Sequence, residues 1–293
     1  MLNFLSIVYE LPTSPLFSPS ALTCYIYLYF KRVHINWPVI HKPSFNASQA
    51  DPMLLSAMIV NGMHYADSPS HELAVRIGQK LWGAYVSLDE FRPSRATLPM
   101  LQALLLTELF GKFMSNRPSF EMSHLFQSWI VTLARRNAVF SPLPVVLPGP
   151  EGSEQHWRAW AREEEKKRIA FFAFMLDATQ AVCFRHISSL SHFQMHLTLP
   201  CHADEWNKTT PEEWFEYRQS TAWKPPMPFI QAVKASLSPQ GVPPSVDTFS
   251  KSILLHGLMN IAFDLQWKQV NILSSEAESG VPQWRERLSS AVS

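Results

Sequence analysis

Residues 53–66 read MLLSAMIVNGMHYA and are apolar nearly all round. A helix with that pattern offers no face to water, so other elements must enclose it on every side. Asp51 and Pro52 stand directly before it as an N-cap and a first-turn proline. Thr97–Phe113, TLPMLQALLLTELFGKF, is a second run of the same kind. The helices expected around them carry a single apolar stripe. After Ser68-Pro69 the stripe is Leu73, Ile77, Leu81 and Tyr85; after a Ser119 cap it is Met122, Phe126, Ile130 and Leu133. Ser153 opens the longest candidate, which runs to Phe184, and Thr248–Gln269 is the last, striped by Ile253, Leu254, Leu258, Ile261 and Leu265. No stretch alternates with period two for long. The expected fold is therefore all-α, an irregular multi-helix bundle with long Pro-rich connections.

The remaining segments set the expected organisation. Residues 1–20 hold Pro12, Pro15 and Pro19 and read as a loose tail, 21–270 as one domain, and 271–293 as a second tail. Residues 21–32 are a short apolar helix candidate ending in Lys31 and Arg32. Pro38 and Pro43 predict extended backbone at Trp37 and Lys42. Residues 208–246, rich in Pro, Ser and Trp, read as a long connection.

Composition excludes several functions. Formal net charge is +1, so no overall basic field draws the chain onto nucleic acid. Glycine is scarce, with 9 residues, and neither G-x-x-x-x-G-K nor G-x-G-x-x-G occurs. Cys24, Cys183 and Cys201 lie far apart, forming neither a disulfide framework nor a C-x-x-C site. The N-terminus has no basic leader, and the apolar run Ala21–Phe30 is too short to span a bilayer. These features are expected of a soluble, intracellular protein without a membrane role.

Few residues carry chemistry. His192 and His196 are four apart, with Cys201 and His202 following, the best metal candidates in the chain. They lack the H-E-x-x-H pattern and fall in a segment read as irregular, so no metal or catalytic residue is assigned. His34 and His41 straddle Pro38 and read as packing groups. Glu163–Arg168, EEEKKR, reads as a solvated helix face with Glu163–Lys167 and Glu164–Arg168 pairs. Asp177 lies in an apolar stretch and needs a structural hydrogen-bond donor. Glu212 and Glu213, a matched pair of acids, are placed in polar loop, and no G-x-S-x-G elbow supports a Ser/His/Asp triad. On residues alone, an all-α metal-dependent enzyme using His192, His196 and Cys201 and a helical adaptor outside transcription both stay open.

A run of short motifs narrows the choice. Tyr29–Phe45, YFKRVHINWPVIHKPSF, resembles the first signature of the fungal-specific transcription factor domain, the middle homology region, and LLSAMIVNGMHY follows it at the expected distance. Leu98–Phe113, Ser128–Arg136, Trp157–Asp177, Leu197–Trp206 and Leu254–Leu265 are similar to later signatures of that family, in the same order. The LPC and HGLM forms are similar to the branch that carries C2H2 zinc fingers rather than Zn2Cys6 clusters. The resemblance implies an all-α regulatory domain that is not an enzyme and modulates RNA polymerase II transcription in the nucleus. It also implies contacts with other transcription proteins, a second copy of the chain or a small-molecule effector. Its structural signature falls on Tyr29, Phe30, His34, Pro38, His41, Phe45, Gln102, Trp157, Trp160, Arg168, Asp177, Leu199, Pro200, Cys201 and Trp206. The family's zinc is expected in an upstream finger missing here, so neither cofactor nor direct DNA contact is expected of this chain.

Overall fold

The computed structural model describes residues 14–141, 147–238, 241–243 and 246–272. Among them lie ten α-helices and no sheet; one isolated bridge joins Thr198 and Pro228. The all-α expectation holds. No helix among the described residues is long and apolar enough to cross a membrane. Residues 1–13 and 273–293 of the expected tails, and 142–146 within the Pro-rich stretch SPLPVVLPGPEGS (141–153), lie outside the described residues.

The chain divides into two compact units. The first comprises Met1–Val139 and Ala161–Phe172. It holds α1 (Pro19–Leu28), α2 (Pro52–Met63), α3 (Ser68–Val86), α4 (Leu98–Phe113) and α5 (Arg117–Arg136), with the middle of α6 (Glu154–Phe184). Helix α2 is its centre: every residue from Met53 to Met63 is buried, and it packs against α1, α3 and α4. Asp51 caps it through Met53 N–H at 2.8 Å. Buried polar contacts fix the packing: Asn61 Nδ2 donates to Leu106 O at 3.0 Å, and the Tyr25 and Ser70 hydroxyls meet at 2.9 Å.

The second unit comprises Phe140–Trp160 and Ala173–Ser293. It holds both ends of α6 with α7 (Ala203–Trp206), α8 (Pro211–Gln219), α9 (Phe229–Ser236) and α10 (Thr248–Ile272). Its core is aromatic: Trp160 packs on Trp214 and Trp206 at 5.0 and 6.2 Å, and Phe174 meets Phe229 edge-on at 5.7 Å.

Several expectations need correction. Residues 208–246 are not an unbroken connection, since α8 and α9 form there. The signal for α8 was legible, because Thr210 caps Glu213 N–H at 3.2 Å and Pro211 begins the helix. Glu212 and Glu213 accordingly lie in its first turn rather than in loop. The cap of α5 is Asn116, not Ser119, which is buried in the first turn. The first helix ends at Leu28, and Lys31 and Arg32 fall in the π-turn Tyr29–Val33. Lys42 opens a 3-10 turn instead of staying extended; Phe45 N–H closes it on Lys42 O at 3.2 Å. EEEKKR is not a solvated face, for Glu164, Lys167 and Arg168 are buried. Glu164 takes Arg168 Nε at 3.2 Å as expected, but Lys167 pairs with Glu164, at 2.7 Å, rather than with Glu163.

Helices α1 and α2 touch backbone to backbone at Gly62. A β-carbon there would lie 1.9 Å from Tyr25 O. Gly83, in α3, has open space around it. Gly62→Ala is expected to lower unfolding free energy by at least about 1–3 kcal/mol through overpacking. Gly83→Ala is expected to raise it by up to about 1 kcal/mol through helix propensity. Urea unfolding of the two variants measures both, and the opposite signs are the test.

Candidate functional site

The signature strut lies in the first unit and poses a problem of backbone satisfaction. Pro38, Val39, Ile40 and His41 are consecutive, buried and non-helical. Among the described residues no neighbouring strand is available to take their peptide groups, and an unpaired buried peptide group is costly. Side chains of α4 and α6 take them instead. Gln102 Nε2 donates to Val39 O at 2.8 Å, Arg168 Nη1 reaches Pro38 O at 3.5 Å, and Glu165 Oε1 accepts His41 N–H at 2.6 Å. Aromatic contacts finish the seam: Trp37 lies on Phe172 at 4.5 Å, and Phe45 meets Phe30 edge-on at 5.4 Å.

Two charge states follow from this burial. Desolvation beneath the strut pushes the Glu165 carboxyl up to about 7, against the pull of His41 N–H, Arg162, Gln102 and Arg168. His34 packs edge-on against Phe30 at 5.2 Å, and its Nδ1 has no hydrogen-bond partner among the described residues. Burial, with the nearby cations Arg168 and Lys42, holds it down to about 3. His41 Nδ1 pairs with Ser44 Oγ at 2.8 Å.

In the second unit the signature Asp177 finds its donors. Its carboxylate accepts Ser188 Oγ–H at 2.6 Å, Leu190 N–H at 2.8 Å and Ser189 N–H at 3.1 Å. Asn260, on α10, donates to Leu190 O and Ser188 Oγ, both at 3.1 Å. It also accepts His192 N–H at 3.0 Å, with His192 Nδ1 at the same distance. His192 is thus a buried group satisfied by Asn260, while His196 is exposed and Cys201 is buried and outside any disulfide. Residues 192–194 form a 3-10 turn, so the four-residue spacing does not stack the two histidines as on an α-helix. No group of three or more His, Cys, Asp or Glu side chains suited to a metal occurs among the described residues.

Leu199 and Pro200 line a cleft of about 520 Å³ in the same unit. Pro225, Pro226, Met227, Pro243 and Val246 supply apolar surface, while His202, Asp204, Tyr217, Lys224, Asp247 and Ser250 bring polar groups. Leu199 N–H donates to Met227 O at 2.8 Å and Phe229 N–H to Leu197 O at 2.9 Å, which holds two of its walls together. Behind it Arg218 lies over Trp214 and Trp223, and Trp223 Nε1 donates to Glu205 Oε2 at 3.0 Å. The cleft's volume falls within the range of small-molecule clefts.

The structure therefore distributes the signature residues over separate seams. Pro38, His41, Gln102 and Arg168 meet in the strut clamp, beside Tyr29, Phe30, His34 and Phe45. Trp157, Trp160 and Trp206 are buried in the second unit, and Leu199 and Pro200 face the cleft. Sequence reasoning missed Glu165 and Asn260. The first was hidden in a charge run; the second was legible as a lone amide in the apolar stripe of Leu254–Leu265.

Residues 26–293 match the family model described as the fungal specific transcription factor domain. Three relatives align over most of the chain. A nicotinate catabolism cluster-specific transcription factor of Emericella nidulans is 31% identical over 95% of this chain and 32% of its own length. Zinc finger protein klf1 of Schizosaccharomyces pombe is 28% identical over 91% of the chain and 35% of its own. Zinc finger protein zas1 of the same yeast is 28% identical over 92% and 31%. The chain thus spans about a third of these relatives. No solved structure matches it.

The two titratable groups at the strut, Glu165 and His34, pull stability in opposite directions with pH. Glu165 is raised in the folded state, so its contribution is full below about 4.5 and is lost as pH climbs through about 7. His34 is lowered, so its contribution is full above about 6.5 and is lost as pH falls towards about 3. Relative to the parent, Glu165→Gln is expected to gain on the order of 1–3 kcal/mol between pH 5 and pH 8. His34→Phe is expected to flatten the acid limb below pH 6. Denaturant titrations across pH 4–8 read both limbs.

Proposed function

Because the chain belongs to the fungal specific transcription factor domain family, we propose that it is the regulatory region of a nuclear factor that controls RNA polymerase II transcription. A separate zinc finger reads the DNA, and this region sets the activity of the bound factor through partner or effector contacts. The observation that carries the reading is the family match over residues 26–293, nearly the whole chain. Two zinc finger proteins among the relatives, each about three times as long as their aligned region, support a division of labour within one polypeptide. The near-neutral charge supports leaving DNA reading to another segment. Non-catalytic function agrees with a family of transcription factors, and the networks around Asp177 and Arg168 consume polar groups in structural bonds. The cleft beside Leu199 and Pro200 supplies a place for a small effector.

Fusion to an unrelated DNA-binding domain tests the reading. The fusion is expected to change a fungal reporter's output relative to that DNA-binding domain alone, and the tagged full-length protein is expected in the nucleus. A reporter indifferent to the fusion, or a sequence-specific, salt-sensitive duplex shift by this chain alone, would sink it.

A further inference from the structure

Helix α5 is apolar on two faces, and only one is used within the described structure. Phe126, Ile130 and Leu133 are buried, the inward stripe that periodicity predicted. Met122 leaves that stripe and joins Leu125 and Trp129 in a second one, with exposures of 37%, 68% and 49%. These positions follow an i, i+3, i+7 spacing, the footprint that a helical partner reads along one face. The face is also packed from beneath. Trp129 rests edge-on against Phe126 at 5.2 Å, Phe126 stacks on Trp82 at 4.3 Å, and Phe91 flanks Trp129 at 5.4 Å. An ordered, half-exposed tryptophan amid apolar neighbours is the usual anchor of a protein contact.

The rim decides the partner's chemistry. Arg117, Arg135 and Arg136 on α5, and Arg92 and Arg95 on the turn whose Phe91 packs on Trp129, are all exposed, against the acids Asp89, Glu90 and Glu121. Asp89 is shared by Arg92 and Arg95, at 3.2 and 3.0 Å, and Glu121 is matched by Arg117 at 2.9 Å. Asn137 Nδ2 donates to Pro93 O at 3.4 Å, which keeps the Arg92–Arg95 turn beside the end of α5 that carries Arg135 and Arg136. The rim is thus positive on balance, most strongly at that end.

We propose that this face of α5 docks an acidic amphipathic helix from another protein, its apolar stripe against Leu125 and Trp129 and its carboxylates towards the arginines. The proposal deepens, and rests on, the reading of the chain as a regulatory region that acts through partners. The same apolar stripe without the acidic flanks would lack the charge match, and a basic helix would be repelled.

The test uses the full chain and a fluorescein-labelled synthetic helix with Leu at i, i+3, i+4 and i+7 and Glu at the flanking positions. A second helix carries Lys in place of Glu. Anisotropy is expected to show binding of the Glu helix that weakens as NaCl rises, and at least a tenfold weaker response to the Lys helix. Leu125→Asp and Trp129→Ser are expected to lower affinity about tenfold or more. Both sites are exposed, so circular dichroism should stay unchanged, and Ile35→Asp, at an exposed apolar residue on another element, should bind as the parent does. Arg136→Glu is expected to weaken the Glu helix and strengthen the Lys helix. Absence of Glu-helix binding, equal binding of both helices, or binding indifferent to Leu125→Asp overturns the proposal. So does a dimer in sedimentation that Leu125→Asp dissociates, since a second copy would then occupy the face. The peptide assay needs no reporter. Peptide binding beside a silent reporter fusion defeats the regulatory reading alone, whereas an active fusion without peptide binding defeats this proposal alone.

Discussion

Four buried, non-helical residues inside a helical unit are the constraint on which the first half of this protein depends. Helices satisfy their own peptide groups; Pro38–His41 cannot. Pro38 removes one donor and Val39 N–H bonds Trp37 O at 2.8 Å, but Val39 O, Pro38 O and His41 N–H turn to other elements. Gln102, Arg168 and Glu165 meet them one for one. Each comes from a helix that packs elsewhere by apolar contact, so the strut sets the register of α4 and α6 as well as its own path. That explains why a charge run lies under protein here: Arg168 is fixed by Glu164, which also holds Lys167, and a buried cation needs such a pair.

The second unit solves a related problem with a different group. After α6 ends at left-handed Arg185, the chain turns irregular through Ser188–Leu190. Asp177 gathers the free N–H groups of this turn, and Asn260 ties it to α10. Loss of either partner would leave several buried groups unpaired at once, which costs more than any single bond contributes. The histidine most suggestive of a metal, His192, is a member of this network. Its neighbours thus explain it without a ligand.

These networks also show why the family's residues read as architecture. Most signature side chains described above bind backbone or pack in a core; among them Leu199 and Pro200 face a cleft. The exposed apolar residues Leu125 and Trp129 of α5 are not among these signature side chains. Trp129 and Leu125 on α5 occupy positions that the apolar pattern alone would have filled with polar residues.

The sequence by itself determined the helical class, the buried status of α2 and α4, and the need of Asp177 for donors. Apolar periodicity, caps and first-turn prolines are local properties, and local chemistry decides them. It did not determine which charges are buried. Glu163–Arg168 has the pattern of a solvated face, yet tertiary packing buries Glu164, Lys167 and Arg168, the last of them against Pro38 O of the strut. Nor did it determine that Met122 points outward, since a helix with apolar residues on two sides has two candidate inner faces and only the packing of Phe126 on Trp82 chooses between them. Contacts across long stretches of chain, such as His41 to Glu165 or His192 to Asn260, leave no mark in local spacing. The tertiary structure alone decided them.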